Sequence, residues 1–146
     1  ENGILSITDE RMTRFNITLE ESVNLVIKSL VSAQGGEIII PKLKSYRILD
    51  LVKAVNSKCK IKYIGKRPGE KLNEEMIAAD DSSIKIDMGS FFILIPPYKK
   101  KFFSKHIKKY KGKILNGNFE YKSGQQDFMK INEIKKILEK TKNQNE

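Results

Sequence analysis

The 146-residue sequence has few of the side chains that build disulfides and metal sites, since it contains one cysteine, one histidine and no tryptophan. One thiol cannot form an intrachain disulfide. A single cysteine and a single histidine cannot supply the ligand spacings of zinc sites. We therefore expect neither a disulfide framework nor a metal centre, and we interpret Cys59 as an inert thiol and His106 as an ordinary surface histidine.

The sequence also lacks long apolar stretches. A membrane-spanning helix needs roughly 18 or more consecutive apolar residues, and no segment approaches that length. No basic and then apolar leader opens the chain. We expect a cytoplasmic protein with no membrane partner.

The usual catalytic motifs are missing as well. The chain has no Gly-x-Gly-x-x-Gly, no phosphate loop, and no serine or cysteine nucleophile with a suitable histidine base. A proton-transferring Tyr-x-x-x-Lys pair is absent, because none of the five tyrosines has a lysine at the fourth following position. We predict no catalytic residue within this chain.

Positive charge is concentrated at one end of the chain, whose formal net charge is +10. Residues 1–95 are nearly balanced, whereas residues 96–146 contain fourteen lysines, five acidic residues and no arginine. Lysine lacks the planar fork that reads bases and phosphates in a bidentate manner. We favour a solvated surface and expect no nucleic-acid partner. A basic nucleic-acid-binding module remains the alternative, because aromatic residues interleave with the lysines as they do in single-strand binders: Tyr98, Phe102, Phe103 and Tyr110.

Strand and helix patterns alternate along the chain and predict an α/β fold. The predicted strands are residues 4–8, 37–40, 60–64, 84–88 and 91–95. The predicted helices are one that follows a Thr18/Glu21 capping box, one capped by Ser45, a short one over 72–77, and one over 131–140. We expect residues 1–95 to form an α/β lobe and the lysine-rich segment 96–146 to pack on that lobe.

Two arginines occupy positions that suit recognition of a diphosphate. Arg14 lies just before the capped helix, and Arg67 lies on a Pro-Gly turn with Glu70 three residues later. Two guanidinium forks can each make parallel charge-assisted hydrogen bonds to phosphate oxygens, and a nearby carboxylate suits a ribose diol. The alternative is that both arginines are surface or ion-paired residues and that Glu70 merely opens a following helix.

Several longer motifs carry a family resemblance. They are Met-Thr-Arg-Phe-x-Ile-Thr-Leu-Glu at 12–20, Gly-Gly-Glu-Ile-x-x-Pro-Lys at 35–42, Asp-Leu-x-Lys-Ala at 50–54, Ile-Gly-x-Arg-Pro-Gly-Glu-Lys-Leu-x-Glu at 64–74, and Phe-Glu-Tyr-x-Ser at 119–123. In this order they resemble the UDP-N-acetylglucosamine 4,6-dehydratases of polysaccharide biosynthesis, which are extended short-chain dehydrogenases.

The resemblance implies that this chain is the C-terminal, substrate-binding lobe of such an enzyme and is inactive by itself. An N-terminal Rossmann half, absent from the chain, would hold NADP (or NAD) and the catalytic tyrosine and lysine. Arg14 and Arg67 would bind the diphosphate of a UDP-N-acetylhexosamine, and Glu70 its ribose. We expect the intact enzyme to be a homo-oligomer. A UDP-N-acetylhexosamine 4-epimerase of the same fold is the alternative within this resemblance.

Overall fold

The computed structural model describes residues 3–99, 110–125 and 127–143. Helices and strands are mixed, which confirms the predicted α/β class. The chain forms two compact units: residues 1–16, 44–74 and 122–146 make the first, and residues 17–43 and 75–121 make the second. None of the helices in the described ranges is long and apolar enough to cross a membrane. Because residues 100–109 lie outside those ranges, the packing of the lysine-rich segment stays a prediction.

Two small sheets and two helices build the first unit. Its strands are β1 (Ile4–Ile7), β2 (Thr13–Phe15), β4 (Ser45–Arg47) and β5 (Lys60–Tyr63), and its helices are α2 (Ile48–Val55) and α3 (Ile131–Asn143). β1 pairs in parallel with β5, and β2 pairs antiparallel with β4. A short 3-10 turn spans Ser123–Gln125.

The core of the first unit lies between its two helices. Ala54 on α2 packs with Met129 and with Ile134 on α3. Apolar residues recur at helical spacing on both helices, so each presents a stripe to the other. At the start of α3 the Nζ of Lys44 donates to the Oε1 of Glu133 at 2.6 Å.

A four-stranded antiparallel sheet dominates the second unit. Its order is β3 (Ile38–Pro41), β8 (Phe91–Ile95), β7 (Ile84–Asp87) and β9 (Lys113–Ile114). The unit also contains α1 (Leu19–Ser32), β6 (Glu75–Ile77), a 3-10 turn at Pro97–Lys99, and the start of β10 (Tyr121–Lys122), which pairs with β6. Its core is formed by Ile86, Ile93 and Ile95.

Most of the predicted elements are confirmed, and two details are wrong. Ser45 does not cap α2, because it is the first residue of β4 and the helix begins after Arg47 without a side-chain cap. Residues 72–77 form no helix, since Glu75–Ile77 is a strand. Hydrogen bonds from distant residues occupy backbone carbonyls of this segment: Thr13 N–H donates to the Leu72 carbonyl at 3.0 Å, and Ser123 N–H donates to the Glu74 carbonyl at 2.9 Å.

Candidate functional site

One cleft within the first unit is lined by all three residues that the sequence analysis predicts to bind a ligand. The cleft has a volume of about 350 Å³, and Arg14, Arg67 and Glu70 are in its lining. Most of the remaining wall is apolar and comes from β1, α2 and the residues around them: Leu5, Ile7, Met12, Ile48, Leu51, Val52, Val55 and Ile64. The structure thus brings the two arginines and the carboxylate to one concave surface. Their role in binding stays a prediction.

The turn that carries Arg67 and Glu70 is closed by two hydrogen bonds. The backbone N–H of Glu70 donates to the Arg67 carbonyl at 3.0 Å, and the carboxylate of Glu70 accepts from the backbone N–H of Arg67 at 3.0 Å. Gly69 has a φ of 79°. Proline at the second position and a left-handed glycine at the third define a type II turn. The predicted Pro-Gly turn is therefore confirmed.

The guanidinium of Arg14 is fixed by backbone carbonyls on two segments. Its Nη1 donates to the Thr13 carbonyl at 2.7 Å and to the Leu72 carbonyl at 3.2 Å. Two carboxylates lie farther away, with Nη2 at 3.9 Å from the Oε1 of Glu70 and Nε at 3.8 Å from the Oε1 of Glu74. The side chain keeps 21% of its surface exposed. The backbone carbonyls thus fix the orientation of the Arg14 guanidinium, while part of the side chain remains exposed to solvent.

The Arg67 side chain is placed differently. It is exposed, and across the described residues its guanidinium makes no hydrogen bond or ion pair. Its five N–H donors can therefore bind an anion without first breaking a protein contact. The cleft combines one oriented arginine with one arginine whose donors are available.

Glu70 stays ionised at neutral pH. The backbone N–H of Arg67 lowers the pKa of the Glu70 carboxyl below its usual value, and the Thr8 hydroxyl and the charges of Arg67 and Arg14 act in the same direction. The Thr8 hydroxyl donates to the Oε1 of Glu70 at 3.2 Å. A carboxylate held in this way can accept hydrogen bonds from ligand hydroxyls.

Two residues that contact Glu70 or Arg14 were not identified from the sequence. Thr8 gave no signal, because a lone threonine at a strand end is common. Glu74 closes the 64–74 motif, but its role depends on contacts outside that motif. Its Oε2 accepts from the backbone N–H of Phe15 at 2.9 Å, which turns the other oxygen toward Arg14.

Within the described residues, the other candidates add no reactive group to the cleft. No cluster of three or more metal-binding side chains occurs within the ranges that the structure describes. Cys59 is a half-buried free thiol. His106, Phe102 and Phe103 lie outside the described residues, while Tyr110 donates to the Oε1 of Glu37 at 2.9 Å.

Comparison with known proteins gives matches over most of the chain. A family model described as polysaccharide biosynthesis protein matches residues 1–96. A UDP-N-acetylglucosamine 4,6-dehydratase (inverting) of Campylobacter jejuni serotype O:2 is 40% identical over 123 residues, which cover 82% of this chain and 37% of that protein. A UDP-glucose 4-epimerase of Rickettsia bellii is 30% identical over 142 residues, covering 94% of this chain and 41% of that protein.

A solved structure also matches over nearly the whole of this chain. The X-ray structure of Pen from Bacillus thuringiensis superposes with a TM-score of 0.75 at 27% identity, over 97% of this chain and 41% of that one. The chain therefore spans about two fifths of the length of these relatives.

Proposed function

Because this chain belongs to the polysaccharide biosynthesis protein family, we propose that it is the nucleotide-sugar-binding part of a UDP-N-acetylglucosamine 4,6-dehydratase. The observation that carries the proposal is the single cleft lined by Arg14, Arg67 and Glu70. Two guanidinium groups and an ionised carboxylate on one concave surface match a ligand with a diphosphate beside a ribose diol.

The proposed contribution of this chain is to bind and position the substrate. Arg67 would make bidentate hydrogen bonds to one phosphate, and Arg14 would bind the other from its fixed orientation. Glu70 would accept hydrogen bonds from the ribose hydroxyls. Holding the diphosphate in place fixes where the attached sugar lies, which accelerates a reaction by positioning.

We propose that NADP or NAD serves the enzyme and is held by residues outside this chain. A nicotinamide cofactor supplies the oxidation and re-reduction of the sugar when it is bound. The 146 residues do not fit such a cofactor, because they contain no glycine-rich strand-turn-helix motif and no Tyr-x-x-x-Lys pair.

The direct test is calorimetric titration of UDP and UDP-N-acetylglucosamine into the complete enzyme that contains this chain. Changing Arg67 to alanine should weaken binding by roughly tenfold to a hundredfold and raise KM, which is the usual effect of losing hydrogen bonds to a charged group. Arg11→Ala is the matched control, since this arginine is 69% exposed, pairs with Asp9 and is outside the cleft lining. An unchanged affinity and KM in Arg67→Ala would remove Arg67 from the diphosphate site.

The second candidate is a 4-epimerase, and the Rickettsia relative is the observation that favours it. Both reactions bind a UDP-sugar in the same manner, so the cleft supports either. NMR analysis of the product separates them: a dehydratase removes the C6 hydroxyl and leaves a ketone at C4, whereas an epimerase changes only the configuration at C4.

A further inference from the structure

Three polar side chains of the first unit form a hydrogen-bonded chain, in which Thr13 and Ser123 are buried and Asn73 is half-buried. The Thr13 hydroxyl lies 2.7 Å from the Oδ1 of Asn73 and 2.6 Å from the Ser123 hydroxyl. The backbone N–H of Glu74 donates to the Ser123 hydroxyl at 2.9 Å. Thr13 is 5% exposed and Ser123 is fully buried.

The direction of each hydrogen bond follows from the number of protons. The Asn73 carbonyl oxygen can only accept, so Thr13 donates to it. Thr13 then has no second proton, and Ser123 must donate to Thr13. The Ser123 oxygen is left to accept from the Glu74 N–H. Every hydroxyl proton is used in a single arrangement, so removing one hydroxyl leaves a buried partner unsatisfied.

Two of the hydrogen-bonded side chains, Thr13 and Asn73, belong to the two backbone segments that contact Arg14. Thr13 precedes Arg14, and the Thr13 carbonyl accepts from its guanidinium. Asn73 follows Leu72, whose carbonyl is the other acceptor, and Glu74 provides a carboxylate 3.8 Å from Nε. The backbone groups that orient the guanidinium are therefore held in place by the Thr13 and Ser123 hydroxyls together with the hydrogen bond from the Thr13 N–H to the Leu72 carbonyl.

The 3-10 turn that carries Ser123 packs closely against the same group. A methyl group on Gly124 would lie 2.6 Å from the Oδ1 of Asn73, nearer than real contacts allow. Asn73 cannot easily move away, because its oxygen already accepts from Thr13. Ser123 and Gly124 also lie well beyond residues 1–96, which the family model matches.

We propose that the Thr13–Asn73–Ser123 chain positions Arg14, so that the C-terminal segment around Ser123 sets the affinity of the cleft for a nucleoside diphosphate. This inference rests on the proposed function. It assigns Thr13, Asn73 and Ser123 as positioning residues, since none of them is in the lining of the cleft.

The test uses UDP binding to the complete enzyme. Ser123→Ala and Thr13→Val each remove one hydroxyl, and each should weaken UDP binding by roughly fivefold to tenfold, as expected when a buried polar group loses its partner. Thr13→Ser keeps the hydroxyl and should restore affinity. Ser45→Ala is the matched control: Ser45 is equally buried in the same unit, and its hydroxyl has no hydrogen-bond partner among the described residues.

A double-mutant cycle separates positioning from general destabilisation. If Ser123 acts through Arg14, adding Ser123→Ala to Arg14→Ala should weaken UDP binding no further. Equal losses in both backgrounds would overturn the proposal, and so would unchanged affinity in folded Thr13→Val. If Arg67→Ala weakens UDP binding while the hydroxyl variants do not, only this inference fails; if the unaltered enzyme does not bind UDP, the proposed function itself fails.

Discussion

Glu70 has two roles that use different parts of one carboxylate. One oxygen closes the turn by accepting from the Arg67 N–H, and the other accepts from Thr8 and faces Arg14. The same residue that would bind a ribose therefore also sets the direction in which Arg67 leaves the backbone. A substitution of Glu70 would mix these effects, so the neighbouring glycine gives a cleaner test of the turn.

Gly69→Ala should impair the turn through the backbone alone. Gly69 has a φ of 79°, and no heavy atom outside Gly69 and its two chain neighbours lies within 4 Å of where a Cβ would be. A left-handed backbone costs an L-residue roughly 1–2 kcal/mol, so we expect a lower urea midpoint together with weaker UDP binding. Gly117→Ala is the control, since its Cβ would also meet nothing and no positive φ is involved. Unchanged stability and affinity in Gly69→Ala would show that the turn does not need its type II geometry.

At the level of elements, α1 is defined by its N-terminus more than by its packing. The Thr18 hydroxyl accepts from the Glu21 N–H at 3.2 Å, and the Glu21 carboxylate accepts from the Thr18 N–H at 2.8 Å, so the predicted capping box is confirmed. None of the helix residues is buried in the described chain. Its apolar stripe is largely exposed, with Leu19 at 80% and Leu30 at 76%.

Thr18→Ala should therefore loosen α1 locally. Loss of an N-cap side chain costs about 1 kcal/mol, which corresponds to roughly fivefold faster opening. Amide hydrogen exchange of residues 19–25 measures this directly, and it should accelerate while exchange in the four-stranded sheet stays the same. Glu20→Gln is the control, because Glu20 is in the same first turn but outside the capping box. Equal exchange in Thr18→Ala and the unaltered protein would mean that other contacts hold the helix.

For the whole molecule, several carboxylates link stability to pH. The hydrogen bond from Arg11 lowers the pKa of Asp9 from 3.8 to about 2. The Lys42 ammonium, 2.7 Å from Asp87, lowers the pKa of that carboxyl. A pKa that is lower in the folded state stabilises the fold above the unfolded pKa, and this stabilisation is lost as pH falls through the folded value.

We accordingly expect the urea midpoint to change little between pH 6 and 7. It should decrease once the pH is lowered below roughly 4, near the unfolded pKa of aspartate. Asp87→Asn should reduce the steepness of this fall, because one of the linked groups no longer titrates. A midpoint that rises on acidification would contradict the assigned direction. Chemical denaturation followed by circular dichroism at several pH values makes the measurement.

The lysine-rich segment allows a second test at this scale. If the protein binds UDP-sugars through the cleft, UDP should displace a bound UDP-sugar and added single-stranded DNA should not. A nucleic-acid module would instead bind DNA, lose affinity steeply with salt and ignore UDP. Fluorescence titration at two salt concentrations distinguishes the outcomes, and tight DNA binding unaffected by UDP would favour the alternative.

The local features of this protein were determined by the sequence alone. The alternation of strands and helices, the Thr18/Glu21 capping box and the Pro68-Gly69 turn depend on neighbouring residues, so their patterns predict them. The sequence also predicts that Arg14 and Arg67 bind the same diphosphate, but no local pattern places them in one cleft.

Only the tertiary structure decided the features that depend on distant hydrogen bonds. Bonds from Thr13 and Ser123 occupy the carbonyls of Leu72 and Glu74, and Glu75–Ile77 is a strand, although the local sequence suggested a helix over residues 72–77. Pairing with β2 buries Ser45 in a strand where the sequence suggested a helix cap. The buried Ser123 hydroxyl likewise contacts Thr13, 110 residues away in sequence. In each case hydrogen-bond partners that are distant in sequence outweigh the local propensity.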